Sequence, residues 1–463
     1  MALKQSDRGR MSSDRPRLIR GVGLLGAVAV NVISMIGIGP LITIPLVLGS
    51  LHGPLSLIGW LLGALLAFCD GLVWAELGSA YPRSGGTYGY LLAILGRTPL
   101  GSLPAFLFVW GTIFIVPLTL ASGYIGFANY AGYLVPQLAA SPIGLKLVAA
   151  AVGVVTIAAL YRGIKTIERV GVLLGAISVL TLLCVAGAAF VHWSPHVASS
   201  LAPADSLWGG LRAGLGSALV IAMYDYIGYN AANTIGDEVV EPQRTLPRSI
   251  GIAIALVAAL YVTTQTGVLG AIPWQTFVPL ADGTLPPLGQ HLASAVVERA
   301  FGAPAAVGVT LLILLTAFAS VYGVLLSASR IPYAAATDGL FLAPFAHVHT
   351  RHRFPDVSLL VMGGIALIAS FFTLDQVISA LTASIVLVQS IAQIVALFVM
   401  RSRGERAPYR MWLYPLPALV ALAGWVYIFC SAGWLAIGAS AAVVTTGAAV
   451  YAATWRSKIH EAH

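Results

Sequence analysis

The chain has 463 residues, of which 58% are hydrophobic and only 9% charged, and its mean hydropathy is +0.89. A soluble fold must cover its outside with polar groups, and an average soluble domain is roughly a quarter charged. The composition therefore excludes a soluble enzyme, a disordered chain and a secreted disulfide scaffold, and it indicates a polytopic, all-α membrane protein. The net charge of +8 and pI near 9.5 leave two sources to separate, nucleic acid binding and a basic cytoplasmic face.

A helix crosses a hydrocarbon core of about 30 Å with about 20 apolar residues. Splitting the apolar runs at charges, turns and polar clusters predicts twelve spans, at 21–48, 54–80, 99–130, 143–161, 168–192, 209–236, 249–272, 303–334, 355–373, 376–400, 412–430 and 432–455. The Arg-rich N-terminus carries no cleavable signal pattern, because the first apolar run continues past signal length. Cys69, Cys184 and Cys430 all fall inside apolar runs, which argues against a disulfide framework.

Span 1 carries Ile36-Gly37-Ile38-Gly39-Pro40 near its middle, where two glycines and a proline weaken the helix. Span 2 holds Asp70 and Glu76, which are costly in hydrocarbon unless they face a bundle interior. Asp70 is open to two readings, a proton site or a polar link between helices. Glu76, near the inner end, reads as structural or gating. Span 6 carries Tyr224-Asp225-Tyr226-Ile227-Gly228-Tyr229-Asn230 at a depth similar to the first interruption. Paired interruptions five spans apart are the mark of a 5+5 inverted repeat, with the substrate at the breaks. Broken helices leave free N–H groups for a carboxylate and free carbonyls for an ammonium, and a zwitterionic amino acid presents both. Asp225 has two readings, a ligand for a cationic or amino group and a cap for its own broken helix; protonation is a third.

Lys and Arg alternate with the loops. Of 25, 22 fall in the N-terminal tail, the segments after spans 2, 4, 6, 8 and 10, and the C-terminal tail. Only Lys146, Arg212 and Arg299 lie elsewhere. By the positive-inside rule both termini are cytoplasmic, and the basic excess marks a membrane face rather than a nucleic acid site. His52, His192, His196 and His291 lie near outer ends and read as interfacial. No Walker-type loop occurs, so direct ATP drive is not expected.

Several motifs resemble the amino acid–polyamine–organocation superfamily. Gly37-Ile38-Gly39-Pro40 stands where that family has G-(S/T)-G-I-F. The run Ala75-Glu76-Leu77-Gly78-Ser79-Ala80-Tyr81-Pro82-Arg83-Ser84-Gly85-Gly86-Thr87-Tyr88-Gly89-Tyr90 is similar to its signature after span 2 and is the most specific match. Gly236–Arg248, Ser329-Arg330 with Asp338-Gly339 and Phe354-Pro355, and Ala407–Arg410 resemble its later motifs. The resemblance implies a LeuT-like fold of twelve helices with discontinuous helices 1 and 6, a cytoplasmic tail (1–20), repeat 1 (21–192), repeat 2 (209–400), peripheral helices (412–455) and a second cytoplasmic tail (456–463).

It also implies a secondary transporter in the cytoplasmic membrane, moving an amino acid by alternating access with proton coupling or exchange. Amides near Ile38 and Gly39 would hold the carboxylate. Carbonyls near Met35 and Ile36, with those of Tyr224 and Ile227, would hold the amino group. Tyr224 takes the place of an aromatic gate; Tyr226, Ile227, Gly228 and Tyr229 shape the pocket, with Trp110, Ser320 and Tyr322 as further candidates. Candidates for coupling are Asp70, Glu76, Ser178 and Asn230. Three departures stand out: Ile38 replaces a small hydroxyl residue, Ser178 falls where many members carry a span-5 lysine, and Asp225 is unusual at its place in the break. The expected partners are an amino acid, membrane lipid and a coupling proton, with no cofactor or nucleic acid, in a monomer or homodimer. A pocket of Tyr, Ile and Gly favours a neutral substrate; Asp225 keeps a cationic amino acid or polyamine open. A channel needs a continuous polar stripe, and the polar residues here are isolated.

Overall fold

The computed structural model describes residues 20–82, 86–96, 98–161, 167–198, 207–280, 285–350 and 354–461. The tail 1–19, the Arg83-Ser84-Gly85 centre of the span-2 motif, Arg97, the 162–166 segment with Arg162 and Lys165, Arg351, Arg353 and residues 462–463 lie outside them. So do the side chains of Arg169, Arg456 and Lys458.

The described secondary structure is helical, apart from one parallel bridge between Val22 and Val239. In chain order the helices are α1 (Leu24–Met35), α2 (Gly39–Leu51), α3 (Ser56–Ala80), α4 (Thr87–Leu95), α5 (Pro99–Leu134), α6 (Pro142–Tyr161), α7 (Ile167–Val191) and α8 (Leu207–Tyr226). After a 3-10 turn at Ala231–Thr234 come α9 (Pro242–Ala271), α10 (Leu292–Phe301), α11 (Ala303–Ala328), α12 (Arg330–Thr337) and α13 (Asp356–Ala369). The chain ends with α14 (Leu374–Ile385), a π-helical turn at Val386–Ser390, α15 (Ile391–Ser402), α16 (Leu416–Ser431) and α17 (Trp434–Glu461). Among the described residues seven helices are long and apolar enough to cross a membrane, and the bent pair α1–α2 makes an eighth. Shorter apolar helices cover Ala176–Val191, Asp356–Ala369 and Leu416–Ser431. Span 10, expected as one helix, is interrupted by the π turn, and span 8 continues through Ser329 into α12.

The first break follows from its residues. The Ile36 amide closes α1 on the Val32 carbonyl, and Pro40 opens α2, where its missing donor would have been unpaired anyway. The two helices meet at 53°. Inside α2, Pro45 leaves the Leu41 carbonyl without its i+4 donor. The Tyr130 hydroxyl of α5 donates to that carbonyl at 2.8 Å. The second break follows Tyr226, and Gly228 sits there at φ 125°, a conformation that L side chains avoid. A Cβ on Gly228 would fall 2.7 Å from the Ser34 carbonyl, so the two breaks touch backbone to backbone.

Buried apolar side chains gather in two main cores. One joins α1–α3, α8, α9 and α15 through residues such as Ile42, Trp60, Ile221, Val257 and Leu397. The other joins α5, α6, α11 and α13 through Phe106, Tyr124, Val321 and Met362. Both breaks lie on the side of the first core that meets the second.

Tyr130→Phe is expected to destabilise the fold by about 1–3 kcal/mol, because it orphans the Leu41 carbonyl in an apolar surrounding. Thermal unfolding of the purified protein measures this; an unchanged midpoint would mean that the carbonyl does not depend on the hydroxyl.

Candidate functional site

A cavity of about 770 Å³ lies along the seam between the two cores. Met35, Gly37, Ile38 and Gly39 of the first break line it, as do Tyr224, Asp225, Ile227, Gly228 and Asn230 of the second. The facing wall comes from α5 (Ile115, Thr119, Ser122), α11 (Ser320, Val321, Val324) and α14 (Leu381, Ile385). The apolar wall residues thus surround a polar centre made mostly of backbone.

The backbone at this centre is held from outside the cavity. The Tyr261 hydroxyl of α9 lies 3.0 Å from the Met35 carbonyl and 3.1 Å from the Asp225 carbonyl, and shares its proton between the ends of α1 and α8. Asn31 accepts from the Ala232 amide at 2.8 Å and donates to Ser249 at 3.3 Å. It thereby caps the turn after the second break. The amides of Gly37, Ile38 and Gly39 carry no hydrogen bond among the described residues. They form a positive half-helix end that faces the cavity.

Asp225 is 2% exposed. Its Oδ2 accepts from the Thr43 hydroxyl, one turn into α2, at 2.5 Å. Its Oδ1 lies against Gly39, where a Cβ would come within 2.2 Å of it. The carboxylate therefore crosses to the other broken helix. The Ile227 and Ala231 amides after it bond to the Met223 and Gly228 carbonyls, and Ala232 to Asn31, so the cap of the break is not supplied by Asp225. Tyr224 reaches across the cavity to Ser122 on α5, hydroxyl to hydroxyl at 2.8 Å.

Other candidates lie off the cavity. Ile36 is buried behind the break. The Tyr226 hydroxyl donates to the Trp60 carbonyl at 3.1 Å. Trp110, expected in the pocket, is turned toward Phe106, Phe341 and the backbone of α17 at Gly447. At 100° per residue the cavity stripe of α5 runs through Ile115, Thr119 and Ser122, and Trp110 falls on another face. Tyr322 likewise turns toward Phe318, while its neighbour Ser320 lies 3.2 Å from where a Gly37 Cβ would be. Ser178 is buried in α7. Thr43, Ser122, Tyr261 and Asn31 were not singled out from sequence. Thr43 alone had a signal, its place one turn after Gly39.

Asp70 and Glu76 are polar hubs beside the site. Asp70 accepts from the Tyr229 hydroxyl (2.5 Å) and from the indoles of Trp74 (3.2 Å) and Trp425 (3.0 Å). Indole N–H groups only donate, so both occupy acceptor sites of this carboxylate. Glu76 pairs with Arg401 through both oxygens, at 2.5 and 2.8 Å, and also accepts the Met411 amide at 2.7 Å. Arg401 stacks over Tyr414, 4.5 Å from the ring centre. This buried pair ties α3 to α15 and to the segment before α16.

A multi-pass helical membrane protein with two half-helix breaks around a central cavity is built as a carrier. Residues 22–456 match the amino acid permease family, and the chain belongs to it. It is 24% identical to the serine/threonine exchanger SteT of Bacillus subtilis over 433 residues, 91% of this chain and 93% of that protein. It is 26% identical over 402 residues to the branched-chain amino acid permease BcaP of the same organism, covering 82% and 80%. Asc-type amino acid transporter 1 of Mus musculus is 27% identical over 380 residues, covering 80% and 68%. The crystal structure of MhsT in complex with L-phenylalanine superposes with a TM-score of 0.59 at 16% identity, covering 90% of this chain and all of that one, and this likeness shows the LeuT-like fold. The protein is an amino acid transporter.

Removing one partner of the Glu76–Arg401 pair strands a buried charge, at a cost of about 3–5 kcal/mol. Glu76→Gln and Arg401→Leu are each expected to lower membrane abundance and thermal stability strongly. The double variant Glu76→Leu/Arg401→Met should recover most of the loss. Single variants with wild-type midpoints would rule out the tie.

Proposed function

We propose that the protein carries a neutral amino acid across the cytoplasmic membrane by alternating access, through twelve spans with both termini in the cytoplasm. The carrying observation is the shape of the cavity. From the breaks it runs along Thr87, Tyr88, Thr234, Glu238, Arg330 and Ala334, all at the end of the bundle where α1 begins. Toward the other end Val47, Leu48 and Leu51 of α2 are fully buried, and Gly214 of α8 sits so close that a Cβ would lie 1.7 Å from the Ser50 carbonyl. The site is therefore reached from the N-terminal face, and the charge asymmetry makes that face cytoplasmic.

In this reading the free amides of Gly37, Ile38 and Gly39 take the substrate carboxylate. Ile38 offers no hydroxyl, so backbone alone recognises the anion. The half-helix carbonyls and Asp225 lie where the amino group arrives. The side chain enters the wall of Ile227, Val321, Leu381 and Ile385, which supports a neutral apolar substrate. Exchange requires the second conformation, in which the seam opens at the opposite end and closes along Glu238 and Arg330. Coupling is by proton symport or by exchange of one amino acid for another.

Uptake into liposomes tests this. Imposed proton gradients should drive accumulation if coupling is symport; stimulation by internal amino acid without any gradient response identifies exchange. Gly228→Ala places a Cβ on the Ser34 carbonyl at a φ that side chains avoid, and should lower uptake at least about tenfold. Gly251→Ala, with open space around it, should leave uptake unchanged. Ala334→Cys should react with an impermeant thiol reagent from the cytoplasmic side alone; labelling from outside would reverse the topology.

A further inference from the structure

We propose that Oδ1 of Asp225 is the docking point for the ammonium group of the transported molecule, so that this carrier fixes its substrate's amine with a carboxylate as well as with backbone carbonyls. The inference rests on the amino acid reading above.

Four observations carry it. Asp225 is 2% exposed and lies on the cavity wall, at the level of both breaks. Its Oδ2 is occupied by Thr43, whereas Oδ1 has no partner among the described residues. A buried carboxylate oxygen without a donor is costly, and the cost is removed when a cation arrives. The side-chain donors on the cavity wall nearest to it are committed elsewhere. The Tyr224 hydroxyl is paired with Ser122, and the Tyr261 hydroxyl is shared between the Met35 and Asp225 carbonyls. Arg330, the basic side chain on the described cavity wall, binds the Leu326 carbonyl at the mouth. With these side chains committed, a ligand that brings its own donor finds Oδ1 open.

The position selects an ammonium. The Met35 and Asp225 carbonyls each give part of their capacity to one shared hydroxyl proton, which leaves lone pairs for a group with several donors. An ammonium has three N–H donors and a full charge. The free amides at the start of α2 lie beside Oδ1, which stands against Gly39. A zwitterion fits this pair of sites, carboxylate on the amides and ammonium on Oδ1. A decarboxylated amine uses Oδ1 alone. A hydroxy acid uses the amides alone.

The test uses the full-length purified protein and two probe series. One is L-leucine, L-2-hydroxyisocaproate, isoamylamine and isoamyl alcohol; the other is L-alanine, L-lactate, ethylamine and ethanol. Affinities are read by thermal stabilisation. In the wild type the amino acid should bind about tenfold to a hundredfold more tightly than its hydroxy acid, and the amine more tightly than the alcohol. Asp225→Asn should collapse both ratios to within about threefold without weakening hydroxy acid binding. Retention of both ratios in Asp225→Asn overturns the proposal. So does a wild type in which amines bind no better than alcohols, which keeps the test decisive if the variant does not fold; in that case Asp225 is a structural or protonated group. Amine binding without amino acid binding would preserve the ammonium anchor and remove the amino acid reading. If a panel of all twenty amino acids and the amines leaves the protein unstabilised, both fall.

Discussion

The architecture depends on one contact between two interrupted helices. Gly228 of the second break lies on the Ser34 carbonyl of the first, and the Tyr261 hydroxyl joins the carbonyl ends of both. Inside a membrane protein an unpaired backbone group costs several kcal/mol, so a helix is broken only where each exposed group is met. Here most are. Asn31 meets the Ala232 amide, Tyr130 meets the carbonyl that Pro45 orphans, and Tyr261 meets Met35 and Asp225. At the breaks themselves, the amides of Gly37–Gly39 and Oδ1 of Asp225 stay without a partner among the described residues, and both residue sets line the cavity.

The seam between the two cores gives those atoms a moving partner. The first core carries both breaks, and the second supplies α5 and α11 as the opposite wall. In the alternating-access reading proposed above, one core rocks against the other and changes which end of the seam is open without rebuilding the centre. The polar hubs reinforce this division. Asp70 holds Tyr229, next to Gly228, to α3 and α16, and the Glu76–Arg401 pair holds the end of α3 to α15. Both fix elements around the first core. Neither reaches across the cavity; the direct bond that does is Tyr224 to Ser122, between two neutral hydroxyls. A neutral hydrogen bond is weaker than a charge-assisted one and is the easier to break in each cycle.

The breaks were legible in the sequence because glycine, proline and charge interrupt apolar runs at matching depth. Orientation was legible as well, as an expectation, because Lys and Arg alternate with the loops. The partners of the breaks were not. Tyr261 and Tyr130 sit in ordinary helical runs, and only the tertiary fold brings their hydroxyls onto carbonyls far away in the chain. Trp110 shows the limit from the other direction. It lies on the helix that lines the cavity, but a helix presents about a third of its surface to one side, and its phase could not be set from residue type alone. Ser122 and Thr119, with small polar side chains and no local signature, occupy the face that was assigned to the aromatic ring.

Asp225 and Ile38 both depart from the family's pattern, and the geometry relates them. With isoleucine at position 38 the substrate carboxylate has no hydroxyl to meet and relies on backbone amides. An aspartate beside the same helix end would repel that carboxylate if nothing stood between them. The Thr43 bond holds one oxygen of Asp225 a turn into α2, and the absence of a side chain at Gly39 gives the other room beside the first residue of that helix. The positive end of α2 offsets part of the charge. In the binding mode proposed above, a zwitterion offsets the rest, its ammonium entering between its own carboxylate and that of Asp225. In that mode a carboxylate beside the positive helix end discriminates against a bare anion more strongly than the backbone amides do alone.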